Sequence, residues 1–247
     1  MSSIELSIGT WRFSAGRVPP SPADLHRIYD AAWQWHPIVS LLGYHRAYVQ
    51  LFEDLVDDGW LAPGPTKMRV LDCGIGTAGF SLALSRCIPH GLEIHGVDIS
   101  PRMVGRARAN LRRWRPTQQS EVRYGDIHRL SYPEGMFDLV MGAHVIEHSN
   151  DPIEALGELV RVSRPGAPVL FVTSRSHRLN MLHALRWRYH PIGAGRLAAL
   201  MEQCGVTGIR EYRLGPHRSL PGLCSEAVIG RKTWLQTHYA AQCDHRR

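Results

Sequence analysis

Residues 70–79 read Val70-Leu71-Asp72-Cys73-Gly74-Ile75-Gly76-Thr77-Ala78-Gly79, and this stretch decides the fold class. An apolar run enters a turn that contains three glycines, and a helical pattern follows. Glycine has no Cβ atom, so it allows a tight turn and lets a ligand approach the backbone closely. A glycine loop between a strand and a helix is typical of α/β folds that bind nucleotide-like ligands.

Predicted strands and helices alternate from this loop to residue 231. The strands are Met68–Asp72, Leu92–Asp98, Val122–Tyr124, Phe137–Met141, Pro168–Thr173, Ile209–Leu214 and Cys224–Arg231. The helices are Phe80–Cys87, Pro101–Trp114, Pro152–Val162 and Arg196–Cys204. Such alternation predicts an α/β fold with a mostly parallel sheet, right-handed crossovers and helices on both faces.

Residues 1–66 differ from the rest and are predicted to form an N-terminal arm and a helical cap. Ser, Gly and Pro are frequent in residues 1–23, which favours a flexible or draped arm. Apolar and aromatic residues recur at helical spacing over residues 24–36. Pro37 is expected to end that helix, and a second helix is predicted over Val39–Val56.

The charge of the chain is unevenly distributed. The net charge is +7 and the pI about 9.5, values that would suit a nucleic-acid binder. Only Lys67 and Lys232 are lysines among the 29 basic residues, however, and such a skew toward arginine indicates base composition rather than a DNA-binding surface. Residues 1–66 have a net charge of −3, so residues 67–247 carry +10, and the segment 174–195 within them is rich in Arg and His.

Several classes of protein are excluded at this stage. No apolar run approaches the ~18 residues of a membrane-spanning helix. The N-terminus lacks the basic-then-apolar layout of a signal peptide. The five cysteines are an odd number without a Cys-x-x-Cys pair, so a disulfide scaffold or a cysteine zinc site is disfavoured. These features predict a cytoplasmic protein.

Three acids follow predicted strands and indicate what the glycine loop binds. Asp98 ends the second strand, where it could accept hydrogen bonds from ribose hydroxyls, or act as a helix cap beside Ser100. Asp126 follows the third strand and could meet an adenine amino group. Asp72 stands at the mouth of the loop, where a carboxylate would repel a dinucleotide pyrophosphate. A carboxylate at this position suits a cationic ligand better than a dinucleotide.

Four ordered motifs carry a resemblance to a known family. They are the glycine loop, Gly96-Val97-Asp98-Ile99-Ser100, Gly125-Asp126 with Phe137-Asp138-Leu139-Val140, and Leu159-Val160-Arg161-Val162-Ser163-Arg164-Pro165-Gly166. From about Met68 to Lys232 the chain resembles class I S-adenosylmethionine-dependent methyltransferases, within the small-molecule branch that includes ubiquinone and menaquinone biosynthesis. The resemblance implies a Rossmann-like, seven-stranded sheet whose last strand is antiparallel.

The resemblance also implies S-adenosylmethionine as the cofactor and a set of residues that would bind it. The loop would take the methionine end, Asp98 the ribose and Asp126 the adenine, while Ala143 would line the methionine side. The complete expected set is Asp72, Gly74, Gly76, Asp98, Ile99, Asp126, Ile127 and Ala143. Cys73 and Ala78 depart from the common pattern without disabling it.

The segment His144-Val145-Ile146-Glu147-His148 follows the fourth strand and holds the candidate catalytic groups. If the segment is helical, His144, Glu147 and His148 share one face. Three interpretations stay open: a scaffold that positions the cofactor, a general base at His144 or His148, and a metal site. Since His144 replaces an acid that some relatives use to hold a divalent ion, no bound metal is predicted.

By the same resemblance, residues 67–247 are expected to form the catalytic domain, and their Arg- and His-rich segment 174–195 a lid. The acceptor of the methyl group is expected to meet the cap and this lid. Tyr29 is the preferred catalytic candidate of the cap, and Trp33 and His36 are candidate substrate contacts. Arg175 and Arg178 of the lid would suit an anionic group on the acceptor, unless they simply form a solvated surface. The cap aromatics and histidines from which these were chosen are Tyr29, Trp33, Trp35, His36, Tyr44, His45 and Tyr48.

The preferred function is therefore transfer of a methyl group to an N or O atom of a small metabolite, which is the expected partner. A nucleic-acid substrate is disfavoured, since Gly142-Ala143-His144-Val145 stands where base-modifying relatives carry an Asn/Asp-Pro-Pro segment. A lipid headgroup is a further alternative, although no basic amphipathic helix demands contact with a membrane surface. A non-catalytic cofactor-binding subunit is the third alternative, and a homodimer is compatible with all of them.

Overall fold

A seven-stranded sheet organises this protein. The computed structural model describes residues 4–8, 11–15, 43–62, 67–175, 191–216 and 219–233. The strands are β1 Ile4–Ile8, β2 Trp11–Ala15, β3 Met68–Cys73, β4 Leu92–Asp98, β5 Gln119–Tyr124, β6 Leu139–Ala143, β7 Pro168–Ser174, β8 Val206–Arg213 and β9 Ser225–Lys232. The α-helices are α1 Tyr44–Asp57, α2 Gly79–Cys87, α3 Pro101–Trp114, α4 Pro152–Val162, α5 Ala194–Gln203 and α6 Leu220–Cys224, with a 3₁₀ helix at Ile146–His148.

The strand order of the large sheet is β5-β4-β3-β6-β7-β9-β8. Strands β3 to β7 pair in parallel, whereas β9 runs antiparallel to both β7 and β8. The predicted Rossmann-like sheet with an antiparallel last strand is confirmed. The order reverses beside β3, because β4 lies on one side of it and β6 on the other. In open α/β sheets this switch point is where ligands bind, outside the carboxyl ends of the strands.

Two apolar clusters pack against the sheet, one on each face. Alternation along β3 divides its side chains between them: Val70 belongs to one cluster, and Leu71 and Cys73 belong to the other. Helices α1, α2 and α3 contribute to the first cluster, and α4 and α5 to the second. Fully buried Leu51 and Phe52 place α1 in the same core as the sheet.

The N-terminal segment and some boundaries differ from the sequence-based expectations. Strands β1 and β2, which the sequence analysis does not predict, form an antiparallel pair within the expected arm, and the alternation of apolar and polar residues in Ile4–Ile8 is the signal for them. Helix α1 begins at Tyr44, after Gly43 in a left-handed conformation. The predicted strand at Phe137 starts at Leu139 instead. The helix predicted over residues 24–36 lies outside the described residues, as does most of the expected lid.

No helix in the described part of the chain is both long and apolar enough to cross a membrane. None of the described cysteines Cys73, Cys87, Cys204 and Cys224 is part of a disulfide.

Candidate functional site

A cavity of about 260 Å³ opens at the carboxyl edge of the sheet, at the switch point beside β3. Parallel strands all end at this edge, so residues far apart in sequence meet there. Six of the residues expected to bind the cofactor line it, namely Gly74, Gly76, Asp98, Ile99, Asp126 and Ile127. Both candidate catalytic histidines, His144 and His148, line the same cavity.

The Asp98 carboxylate organises the glycine loop. One carboxylate oxygen accepts a hydrogen bond from the backbone N–H of Gly76 (2.9 Å) and the other from that of Ser100 (2.8 Å). Gly74 has a φ of 62°, and a Cβ atom there would lie 2.6 Å from Val145 Cγ2. Glycine is strongly favoured at this position, because a Cβ atom would add the strain of a left-handed backbone to a clash with the Val145 side chain.

Asp72 and Ala143 lie close to the cavity but are not among its described lining residues. Asp72 is fully buried, and the Ser81 hydroxyl donates to its carboxylate at 2.6 Å. Burial raises the pKa of Asp72 to about 7; hydrogen bonds from Ser81 oppose the shift and the charge of Asp98 adds to it. Ala143 is the last residue of β6 and is partly buried against the first apolar cluster.

The raised pKa of Asp72 predicts how the free energy of unfolding changes with pH. The unfolded carboxyl ionises near its ordinary value of 3.8 and the folded one near 7, so ionisation destabilises the fold as the pH rises between these values. We expect Asp72→Asn to raise the free energy of unfolding above pH 7, by at most about 4 kcal/mol. The gain should shrink toward zero near pH 4, because the wild-type carboxyl is neutral there.

Urea unfolding of the wild type and the variant at several pH values measures this gain. Asp57→Asn, at an exposed position of α1, is the matched control and should change the stability by less than about 0.5 kcal/mol. An equal effect of Asp72→Asn at low and high pH would contradict the prediction.

Asp126 is hydrogen-bonded to His128, a residue that the sequence alone does not single out. The backbone N–H and the ring Nδ1 of His128 lie 3.0 and 2.6 Å from Asp126 Oδ1, and His128 Nε2 lies 2.7 Å from Ser149 Oγ. Burial raises the pKa of Asp126, but the hydrogen bonds and charge of His128 outweigh burial and lower it overall. Asp126 is therefore an ionised acceptor at the edge of the cavity.

The candidate catalytic segment is not one helical face. His144 has a left-handed backbone with a φ of 56°, and the 3₁₀ helix starts only at Ile146. The condition for a shared helical face of His144, Glu147 and His148 is therefore not met. His144 Nδ1 instead lies 2.9 Å from Glu147 Oε1. Among the described residues, no group of three His, Cys, Asp or Glu is arranged to hold a metal ion.

Glu147 is a buried, ionised partner of His144. It is 3% exposed and accepts hydrogen bonds from the backbone N–H of Ser174 (3.0 Å) and from the Ser174 hydroxyl (2.9 Å). Burial raises its pKa, but the hydrogen bond and charge of His144, with smaller contributions from His148 and the Ser174 N–H, lower it overall. An ionised carboxylate only accepts hydrogen bonds, so the neutral form of the His144 ring carries its hydrogen on Nδ1 and leaves Nε2 as the acceptor.

Arg175 is the one predicted acceptor contact among the described residues. Tyr29, Trp33, His36 and Arg178 lie outside them. The Arg175 side chain donates to the Gly222 carbonyl (3.2 Å), and its Nε lies 3.6 Å from Glu226 Oε2. Arg175 lines a separate depression at the start of α5 rather than the cavity of His144.

Two residues beside His144 were not selected from the sequence. The Tyr44 ring packs edge-on against the His144 ring, with centroids 6.1 Å apart, and its hydroxyl lies 3.1 Å from Ser225 Oγ. Tyr44 belongs to the aromatic set of the cap, from which Tyr29 was preferred. Nothing in the sequence points to Ser225, because β9 brings it to the site only through the strand order.

The comparisons with known proteins agree with this geometry. A family model described as a methyltransferase domain matches residues 71–171. A demethylmenaquinone methyltransferase of Deinococcus radiodurans is 30% identical over 196 residues, which cover 75% of this chain and 78% of that protein. A norajmaline N-methyltransferase of Rauvolfia serpentina is 30% identical over 127 residues, 51% of this chain and 41% of that protein.

The matched regions differ in extent. The matches span between 38% and 47% of the length of four curated relatives, the norajmaline enzyme among them. Among solved structures, a possible histamine N-methyltransferase of Thermotoga maritima superposes with a TM-score of 0.62 over 84% of this chain and 99% of its own, at 19% identity. That likeness supports the fold. The long match to the Deinococcus enzyme, together with the family model, establishes that the chain belongs to the class I S-adenosylmethionine-dependent methyltransferases.

Proposed function

We propose that this protein transfers a methyl group from S-adenosylmethionine to an N or O atom of a small-molecule acceptor. One observation carries the proposal: the glycine loop, the acids Asp98 and Asp126, and the base candidate His144 all border a single cavity. A cofactor held by the loop and the acids would present its reactive end toward the histidine. A non-catalytic subunit would not need a cavity-lining His144 paired with the buried carboxylate of Glu147.

The cofactor contacts are proposed from the positions of the residues. Asp98 would accept hydrogen bonds from the ribose hydroxyls and Asp126 from the adenine amino group, while Ile99 and Ile127 would contact the adenine ring. Gly74 and Gly76 would border the methionine end, where Asp72 and Ala143 would lie behind the loop. Asp72 would then favour the cationic amino group, and that contact would offset the unfavourable ionisation of this buried carboxyl.

The residues of this chain would contribute positioning, desolvation and a proton acceptor. The sulfonium of S-adenosylmethionine supplies an already activated methyl group. A site that holds the acceptor in line and excludes water therefore provides most of the rate. The acceptor loses a proton as it is methylated, and His144 Nε2 is the proposed destination. The Glu147 carboxylate would stabilise the resulting imidazolium.

The acceptor is proposed to be small, and an anionic group on it would suit the arginines of the lid. Arg175 is paired with Glu226, so it would have to leave that carboxylate to bind an anion. Arg178 and the cap residues Tyr29, Trp33 and His36 stay predictions. We place the reaction in the cytoplasm, a proposal that the lack of a disulfide among the described cysteines supports. A homodimer also stays a prediction, which gel filtration with light scattering would test.

Two measurements test the proposed function. Calorimetry should detect S-adenosylhomocysteine binding, with a Kd of about 1 µM to 1 mM if it falls within the usual range of enzyme KM values. Methyl-labelled S-adenosylmethionine, incubated with the protein and a low-molecular-mass metabolite extract, should yield a labelled low-mass product. Absence of cofactor binding would overturn the proposal. Label found only in lipid or RNA fractions would show that the acceptor class is wrong.

A further inference from the structure

A line of three hydrogen-bonding side chains leads from the cap helix to the candidate base. Tyr44 Oη lies 3.1 Å from Ser225 Oγ, and Ser225 Oγ lies 3.4 Å from His144 Nε2. The three groups come from the first residue of α1, the first residue of β9 and the loop after β6. Ser225 is 1% exposed, so no bulk water competes for its hydroxyl.

The sheet fixes the middle member of this line. Ser225 pairs with Ser174 in the antiparallel register of β7 and β9. Ser174 in turn donates to Glu147 through its backbone N–H and its hydroxyl. The same pair of strands therefore holds both sides of the His144 ring, with Glu147 at Nδ1 and Ser225 at Nε2.

Hydrogen counting fixes the direction of every bond in the line. Glu147 is an ionised acceptor, so the neutral His144 ring carries its hydrogen on Nδ1 and can only accept at Nε2. Ser225 must then donate its single hydrogen to Nε2. Because that hydrogen is used, the bond between Ser225 and Tyr44 requires the Tyr44 hydroxyl to donate.

We propose that Ser225 and Tyr44 are positioning residues for His144, an inference that rests on the proposed function. Through them the cap helix α1 sets the orientation and tautomer of the imidazole. The Tyr44 ring, edge-on to the His144 ring, restricts the same rotation. The bond of 3.4 Å to Nε2 is long, so an N–H or O–H of the acceptor can replace it. Ser225 then turns its hydroxyl hydrogen toward Tyr44 Oη while Nε2 takes the proton of the acceptor.

Long-range proton–nitrogen NMR of protein with ¹⁵N-labelled histidine rings tests the inference. His144→Asn assigns the His144 signals. The wild type, without acceptor and at a pH where the ring is neutral, should show the Nδ1–H tautomer with Nε2 as a hydrogen-bond acceptor. Ser225→Ala should shift the Nε2 signal toward that of a ring with no donor. Tyr44→Phe should shift it in the same direction by a smaller amount, because Tyr44 acts through Ser225.

The controls separate positioning from general damage to the fold. Tyr48→Phe removes a hydroxyl one turn further along α1, from a buried ring that packs on Phe80, and should leave the His144 signals unchanged. Ser225→Thr keeps a hydroxyl and should restore the wild-type signal. The double variant of Ser225→Ala and Tyr44→Phe should match Ser225→Ala alone.

Two outcomes would overturn the inference: an Nε2–H tautomer in the wild type, or an unchanged Nε2 signal in folded Ser225→Ala. The spectra need no methyl acceptor, so the result is independent of the proposed reaction. Failure of the wild type to bind S-adenosylhomocysteine would contradict the proposed function alone and would leave the hydrogen-bonded line measurable.

Discussion

His144→Asn is expected to lower kcat for methyl transfer by about 100-fold or more, the usual range for loss of a general base. The variant removes the proton acceptor, and asparagine tolerates the left-handed backbone of residue 144 better than most residues do. The rate is measured with the acceptor that the labelling experiment identifies. Affinity for S-adenosylhomocysteine should stay within about twofold, because His144 is assigned to the acceptor side of the cavity and not to the cofactor contacts.

Two further variants make this result interpretable. His90→Asn, at an exposed position, is the matched control and should keep the full rate. His148→Asn tests the second histidine of the cavity and should cost much less than His144→Asn, because Glu147 Oε1 pairs directly with the ring of His144. A large loss in His148→Asn alone would move the base role to His148. Full activity in both variants would show that catalysis is by positioning alone.

Asp98→Asn is expected to weaken cofactor binding by about 100-fold. Hydrogen bonds to a charged group contribute about 1.5 to 3 kcal/mol each, and a ribose offers two hydroxyls to this carboxylate. The two oxygens of the Asp98 carboxylate accept hydrogen bonds from the backbone N–H groups of Gly76 and Ser100, and the variant loses one of these two acceptors. Calorimetry with S-adenosylhomocysteine measures the loss. Glu121→Gln removes an exposed carboxylate from the adjacent strand β5 and should leave the affinity unchanged.

A pair of nucleosides separates direct ribose contact from loosening of the loop. Wild-type protein should prefer adenosine over 2′,3′-dideoxyadenosine by about tenfold or more in competition with S-adenosylhomocysteine, since only adenosine offers the hydroxyls. Asp98→Asn should discriminate little between them. If the variant weakens both nucleosides equally and keeps the preference, Asp98 acts on the loop and not on the ribose.

The fold was predictable because its signals are local. Helices Pro101–Trp114 and Pro152–Val162 begin and end where the sequence predicts, since proline at the first turn and a capping side chain mark their starts. Strand Leu92–Asp98 is also predicted to the residue. The fourth strand is displaced to Leu139–Ala143, because its limits depend on pairing with β3 and β7 and not on its own residues.

The sequence by itself determined the sheet, the glycine loop and the position of Asp98 and Asp126 at one edge. Residues that follow parallel strands must meet there, whatever the detailed packing. Tertiary structure alone decided which groups face His144. Tyr44 and Ser225 meet across 181 positions of sequence, and Ser225 reaches His144 across 81. These contacts exist because β9 inserts between β7 and β8, and no local pattern of residues encodes that strand order.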